Sequence, residues 1–229
     1  MNTKSFTHLA FLSVMMANIV FAQTSYQFGV LPAVNVNKKF KEDWSLNTRI
    51  ESRQLFQNGD FEGNIFGKYD YVLTDVSLLA GKKIALNSRI AGGYLLRIED
   101  GGAAHRVSIQ YVVVQRLSKF RLAHRFLSDQ TFSKIESPEF RLRYRITAEI
   151  ALNGESVDTK EFYMRLNNEY VNSLQESEYD LEIRLVPLLG YQINERFKIE
   201  SGLDYRVNLF IHNNTRHTFW LSFNFFIDF

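Results

Sequence analysis

The chain of 229 residues contains no cysteine, so no disulfide can stabilise it. Its 27 basic and 25 acidic side chains nearly balance, which leaves no electrostatic footprint for nucleic acid. Only three prolines and twelve glycines occur, and no Pro/Ser-rich linker divides the chain, so we expect a single domain. Beyond residue 22 no stretch approaches the roughly 18 apolar residues that a membrane-crossing helix needs. If this chain crosses a bilayer, it must cross as strands.

The first 22 residues have the order of a secretory signal peptide. Lys4 precedes an uncharged run at 6–21, and Val20-Phe21-Ala22 provides small residues before a cut at Gln23. We therefore expect residues 1–22 to be cleaved and 23–229 to form the mature domain; a cytosolic apolar helix is the alternative. No cysteine lies near the cut, which excludes a lipoprotein anchor. An exported chain without disulfides needs a large core or a lipid environment for stability.

Apolar and polar residues alternate over stretches of about ten residues, the length of a strand that crosses hydrocarbon at a tilt. In 139–152, Phe140 and Leu142 fall on one face and Arg141 and Arg143 on the other. The same alternation recurs at 44–53, 84–97, 181–192 and 197–208, and more weakly at 71–80, 105–117, 120–132 and 162–172. The pattern predicts an all-β fold: an antiparallel up-and-down transmembrane β-barrel of about 10–12 strands with a polar, charged lumen.

The connections between these stretches alternate in predicted length. Short turns are expected at 38–43, 81–83, 117–119 and 194–196, and longer polar loops at 54–68, 99–104, 128–139, 172–180 and 211–216, with 153–160 as an exception. Tight turns on one side and long loops on the other are typical of an outer-membrane barrel.

The strand count is odd when the segment 26–40 is included. Eleven spans result, whereas single-chain bacterial barrels have even numbers of strands. Pro32 lies within that segment and cannot donate to a ladder, which indicates an edge or a kink. We favour ten full strands with the N-terminal segment bent, partial or folded inside, and keep twelve as the alternative.

Alternation by itself also fits a soluble barrel, whose inward face is apolar. Three features favour lipid on the apolar side: that side is nearly free of charge over whole strands, it is rich in Phe, Tyr, Leu and Ile, and the chain closes on an aromatic strand. The last strand resembles the recognition signal read by the outer-membrane assembly machinery, and its signal residues are Phe223, Phe225, Ile227 and Phe229. Outer-membrane lipid and that machinery are the expected partners.

The opposite face of the strands carries charges of both signs. In a narrow barrel these side chains would meet across the lumen and pair, because buried charges persist only when they are paired. We expect a ladder of ion pairs that leaves little or no open water path. The predicted lumen charges are Arg49, Glu51, Arg53, Arg89, Arg97, Arg106, Arg121, Arg125, Arg141, Arg143, Arg145, Glu149, Arg165, Glu169, Glu182, Arg184, Glu200, Asp204 and Arg206.

Several short motifs also resemble a family of uncharacterised outer-membrane β-barrels of Bacteroidota and related bacteria, known only as a domain of unknown function. The resemblance covers essentially the whole mature chain. It is carried by Trp44-Ser-Leu with Arg53, His124-Arg125-Phe126, FRLRYRI at 140–146, NNEY at 167–170, and the closing segments GYQINERFKIESGLDYR and HTFWLSFNFF. It implies a barrel in the outer membrane of a Gram-negative bacterium and brings no assigned activity.

Catalytic chemistry has little support in the sequence. His105 and His217 lie near predicted outer strand ends, and Ser128 and Asp129 share a predicted loop, but nothing in their spacing requires a base beside a nucleophile. No metal-binding spacing occurs. We therefore predict no catalytic, cofactor-binding or metal-binding residues and a structural or narrow-pore protein that is not an enzyme. A barrel enzyme acting on envelope lipid and a soluble periplasmic β-protein are the alternatives. Solute and oligomeric state stay open.

Overall fold

A computed structural model describes residues 24–118, 120–209, 211 and 215–229. The predicted signal peptide, 1–22, lies outside these described residues. The strands are β1 Ser25–Lys39, β2 Trp44–Asp60, β3 Ile65–Ala85, β4 Ser88–Glu99, β5 Gly102–Arg116, β6 Arg121–Ser133, β7 Glu139–Ala151, β8 Glu161–Gln175, β9 Glu178–Gln192, β10 Phe197–Asn208 and β11 Arg216–Asp228. The described residues include no helix that is long and apolar enough to cross a membrane.

The eleven strands form one closed barrel in which each strand pairs with its neighbours in the chain. All of these pairs are antiparallel except the last, β1 with β11, which is parallel from Ser25↔Arg216 to Asn37↔Asp228. An odd number of up-and-down strands requires one such pair, because the first and last strands then run in the same direction. The predicted all-β barrel is confirmed.

The favoured arrangement of ten full strands is wrong, since the N-terminal segment forms a complete strand. Pro32 is accommodated in β1 opposite Phe223 of β11. On the other side of β1, the pairs Val30↔Gln54 and Ala33↔Glu51 flank it, and a bulge at Phe28/Gly29 adjusts the register with β2. A single missing N–H therefore interrupts the ladder locally without turning β1 into an edge.

The barrel has two rims, which we name by the chain end that each carries. The C-terminal rim carries the connections 40–43, 86–87, 152–160 and 193–196, the described residues 117, 118 and 120, and the end of β11. The N-terminal rim carries 61–64, 100–101, 134–138 and 176–177, the described residues 209, 211 and 215, and the start of β1. The predicted alternation of short turns and long loops is wrong. Most of the predicted loops 54–68 and 172–180 is strand, because polar residues stay in a ladder as long as their backbones pair, as in Gly59↔Ile65.

Successive side chains point alternately out of the barrel and into its lumen. On β11, Phe223 and Phe225 face outward and are 41% and 50% exposed, whereas the alternate residues Ser222 and Asn224 are buried. Arg141 and Arg206 are likewise buried inside. The apolar rings thus radiate outward and the arginines point to the centre.

Tyr163 of β8 fills the lumen close to the C-terminal rim. Its side chain is almost completely buried, and its hydroxyl donates a hydrogen bond to Glu200 Oε1 at 2.6 Å. The ring lies directly over Gly190, its register partner on β9, so that a Cβ atom at Gly190 would overlap the ring. Only glycine leaves room for the tyrosine here.

Replacing Gly190 with alanine should therefore destabilise the barrel by about 1–3 kcal/mol, the usual effect of overpacking a filled interior. Gly92→Ala is the matched control, since the nearest atom to its new Cβ is Ser108 O at 4.0 Å. Urea unfolding of the detergent-folded protein measures both. Equal losses in the two variants would contradict the packing described for Tyr163.

Candidate functional site

The lumen is the most distinctive chemical environment in the described part of the chain. It encloses a cavity of about 520 Å³ that is lined mainly by charged and polar side chains from the strands around the ring. Period-two alternation places every second residue of a strand there, which is why Arg141, Arg143 and Arg145 of β7 all enter it.

Glu169 of β8 is the centre of the largest set of ion pairs. Its carboxylate lies 2.6 Å from Arg125, 2.9 Å from Arg143, 3.6 Å from Arg184 and 3.7 Å from Arg145. Only 5% of its side chain is exposed. Four guanidinium groups from β6, β7 and β9 therefore share one buried carboxylate.

Asp129 of β6 extends this set. Its carboxylate is fully buried and lies 2.7 Å from Arg141 and 3.5 Å from each of Arg106 and Arg143. Because Arg143 contacts both Asp129 and Glu169, the two carboxylates belong to one group. We call it the Glu169 group, and its members are Arg106, Arg125, Asp129, Glu139, Arg141, Arg143, Arg145, Glu169, Glu182 and Arg184.

A second group lies on β2, β3 and β4, on the opposite wall. Glu51 accepts from Arg49 at 2.5 Å and from Arg53 at 2.9 Å. Asp75 pairs with Arg97 at 2.8 Å and lies 3.9 Å from Arg53, which links the two carboxylates. Three arginines thus share two acids.

The remaining charges form two balanced sets. Glu149 pairs with Arg121 at 3.0 Å and with Arg165 at 2.5 Å, and Arg165 also contacts Glu200 at 2.5 Å. Arg206 and Asp204 form a bidentate pair with both hydrogen bonds at 2.8 Å. Such fork-to-carboxylate geometry gives strong charge-assisted hydrogen bonds.

All the predicted lumen charges except Arg89 take part in these ion pairs. Arg89 lies towards the C-terminal rim and donates to Ser45 Oγ at 2.5 Å. Three acids of the network were missing from the sequence prediction: Asp75, Asp129 and Glu139. Asp129 lies within the weakly alternating stretch 120–132 and shares its parity with Arg121 and Arg125, but it was assigned to the predicted loop 128–139.

Apolar side chains narrow the lumen near the N-terminal rim. Leu31, Leu55 and Trp220 pack together there, with exposures of 1%, 6% and 3%. Gly29, the register partner of both Leu55 and Trp220, allows the indole to lie flat against the wall, since a Cβ at this position would come within 2.5 Å of it. With Tyr163 towards the other rim, the charged cavity is restricted at both ends.

The residues considered for catalysis in the sequence do not lie together in one site. Asp129 lies in the lumen and not in a loop, and its neighbour Ser128 faces the other side of β6. His105 Nδ1 is 2.6 Å from the Tyr94 hydroxyl, and His217 Nδ1 is 2.7 Å from the Tyr205 hydroxyl. Each of these histidines is thus held by a tyrosine on the adjacent strand.

The residues of the expected assembly signal lie along the outward side of β11 and its end. Phe223, Phe225 and Phe229 are 41%, 50% and 64% exposed. The backbone N–H of Phe229 donates to Asn37 O at 2.8 Å, which continues the parallel pairing to the last residue. The closing strand therefore combines an apolar outer surface with a fully paired backbone.

The fold and the lumen define a class of protein: a closed β-barrel with an ion-paired interior. The chain belongs to the family described as Protein of unknown function (DUF2490), whose sequence model matches residues 28–220. No curated protein and no solved structure matches the chain. The family match agrees with the resemblance to a domain of unknown function and spans nearly the whole barrel.

Replacing Glu169 with glutamine should destabilise the barrel by about 3–5 kcal/mol, because it leaves several buried arginines without a carboxylate. Glu139→Gln is the control. Its side chain is 26% exposed, and its carboxylate makes one long contact of 3.5 Å with Arg141. We therefore expect the free energy of unfolding to fall by no more than about 1 kcal/mol. Unfolding free energies in detergent compare the two. If both variants lose the same free energy of unfolding, the network does not depend on Glu169.

Proposed function

We propose that the mature chain is an outer-membrane β-barrel of a Gram-negative bacterium of the Bacteroidota, with a structural or narrow-pore role and no enzymatic activity. A signal peptide at 1–22 directs it across the inner membrane. The observation that carries the proposal is the distribution of side chains: rings and aliphatic chains cover the outer surface of the barrel, and charges fill its interior.

The outer surface supports lipid as its solvent. Ile109, Leu142 and Met164, from three different strands, are 56%, 52% and 53% exposed. Large contiguous apolar surface on a monomer marks an interaction with protein or membrane. A band of this kind that surrounds the whole barrel is typical of a protein in a bilayer, where a closed ladder leaves no open sheet edge facing lipid.

The orientation follows from the C-terminal strand. Assembly signals of outer-membrane barrels lie at the end of a last strand that points into the periplasm, and the outward aromatics of β11 fit that role. The C-terminal rim then faces the periplasm. Because β1 runs parallel to β11, the start of β1 lies at the outer surface, at the opposite end from the C terminus.

The interior supports a closed or narrow barrel. The ion pairs of the described residues join side chains from β2 to β10, and Leu31, Leu55 and Trp220 of β1, β2 and β11 form an apolar contact towards one end. Ions that cross such a lumen must displace buried charge pairs or apolar contacts. A wide, water-filled channel is therefore not expected.

Epitope insertions test location and orientation together. Gly63 and Gly154 lie on opposite rims, both have positive φ (103° and 71°), and a Cβ atom at either would meet nothing within 4 Å. A tag inserted at Gly63 should be stained on intact cells, and one at Gly154 only after permeabilisation. The matched local geometry makes each insertion the control for the other. Release of the tagged protein with the soluble periplasmic fraction would contradict the membrane assignment.

Planar-bilayer recordings test the role of the lumen. The wild-type barrel should show no conductance or only small steps, since paired charges and apolar contacts restrict its lumen. Trp220→Ala removes the largest side chain of the apolar contact and should raise the conductance if any path exists. Phe219→Ala, which changes the neighbouring residue on the outer face, is the matched control. Large, stable openings of the wild type would rule out a closed or narrow barrel.

A further inference from the structure

The charges of the lumen do not cancel. The ion pairs among the described residues join twelve arginines to nine carboxylates. The excess is confined to two sets: six arginines against four acids in the Glu169 group, and three against two around Glu51 and Asp75. These two sets face each other across the same cavity.

Three arginines of these two sets are the least completely paired. Seven buried side-chain atoms of the described residues lack a hydrogen-bond partner, and four of them belong to arginines: Nε of Arg49, Arg125 and Arg145, and Nη2 of Arg141, which still lies 2.7 Å from Asp129. Arg145 is 3.7 Å from its nearest carboxylate oxygen, too far for a hydrogen bond. Arg49 and Arg125 each make a one-point contact with a carboxylate, whereas Arg143 and Arg206 make two-point contacts.

The three side chains line one cavity. Arg125 and Arg145 are direct register partners on β6 and β7, and Arg49 projects into the same cavity from β2 on the opposite wall. Their side chains are 37%, 22% and 28% exposed for Arg49, Arg125 and Arg145, and all three line the cavity. The three Nε atoms are covered, and Nη2 of Arg49 and of Arg125 already donates to a carboxylate, so Nη1 of these two arginines and both terminal nitrogens of Arg145 remain for a ligand.

We infer that Arg49, Arg125 and Arg145 form a binding site in the lumen for an oxyanion, the phosphate or carboxylate group of a small solute. Guanidinium forks match the oxygens of such groups in two-point contacts, whereas chloride offers a single point. A bound oxyanion would supply the missing negative charge and bridge the two walls. A cavity of about 520 Å³ leaves room for more than the anionic group alone.

This site deepens the proposed function by naming the class of solute that the lumen holds. Its test uses the full mature chain folded in detergent, where membrane location plays no part. Failure of binding therefore leaves the membrane assignment intact, and failure of the membrane assignment leaves binding measurable.

Inorganic phosphate is the probe, and chloride at matched ionic strength controls for screening. Phosphate should raise the thermal midpoint of the wild type in a saturable way, with heat of binding in calorimetry, and chloride should not. Loss of a charge-assisted contact should weaken binding at least about tenfold in Arg145→Gln and in Arg49→Gln on the other wall. Arg145→Lys, which keeps the charge but loses the fork, should fall between.

Arg89→Gln is the control, because it removes the same charge from an exposed arginine near the C-terminal rim that lies outside the three-arginine site. It should bind phosphate within about twofold of the wild type. In phosphate-free buffer Arg145→Gln should be at least as stable as the wild type, since it removes repulsion among arginines. The site is refuted if phosphate acts no differently from chloride on the wild type, or if Arg89→Gln loses as much affinity as Arg145→Gln.

Discussion

The parallel hydrogen bonds between β1 and β11 close the ring, and the rest of the structure depends on that closure. An open sheet of eleven strands would expose charges on one face and aromatic rings on the other, and its edge strands would pair with other chains. Closure turns one face into an interior where the charges meet each other. It also separates the chain ends, because an odd number of strands puts the start of β1 and the end of β11 at opposite rims.

Pairing in the interior is shared among several partners. Glu169 serves four arginines and Asp129 serves three, so a few acids hold side chains from many strands in register. Removing charges from water is costly, and close multiple pairing offsets part of that cost. Where the pairing is incomplete, around Arg49, Arg125 and Arg145, the uncompensated positive charge attracts an additional anion. The least satisfied part of the network is thus the part best suited to hold a ligand.

Polar side chains on the outer surface of the barrel are also paired, here as tyrosine–histidine hydrogen bonds. Each of three tyrosines hydrogen-bonds to a histidine on the adjacent strand, two residues before the register partner of the tyrosine. The pairs are Tyr94 with His105, Tyr144 with His124, and Tyr205 with His217. All three pairs use the same diagonal register across an antiparallel pair. Such diagonal neighbours lie close enough for long side chains to interact. Histidines that the sequence offered as possible catalytic bases are therefore engaged by ring partners on the barrel wall.

Much of the barrel was predictable from the sequence, since period-two alternation is a local property. It identified the strands, the residues of each face, and most lumen charges, including Arg141, Arg143 and Arg145 on one strand. It missed Asp75 and Asp129, whose stretches alternate weakly or have a loop-like composition. It also favoured a partial first strand because of Pro32, and long loops where polar hairpins remain paired.

Two features were decided only by the tertiary structure: how β1 joins β11, and which arginine meets which acid. Residues such as Arg145 and Arg49 are far apart in the sequence and line one cavity only because the ring closes, and no local pattern encodes that arrangement. The alternation of each strand is determined by its own residues, but register and closure depend on hydrogen bonds between strands that are distant in the chain. For that reason the sequence by itself determined a β-barrel with one charged and one apolar face, and the fold decided where the charge is left unpaired.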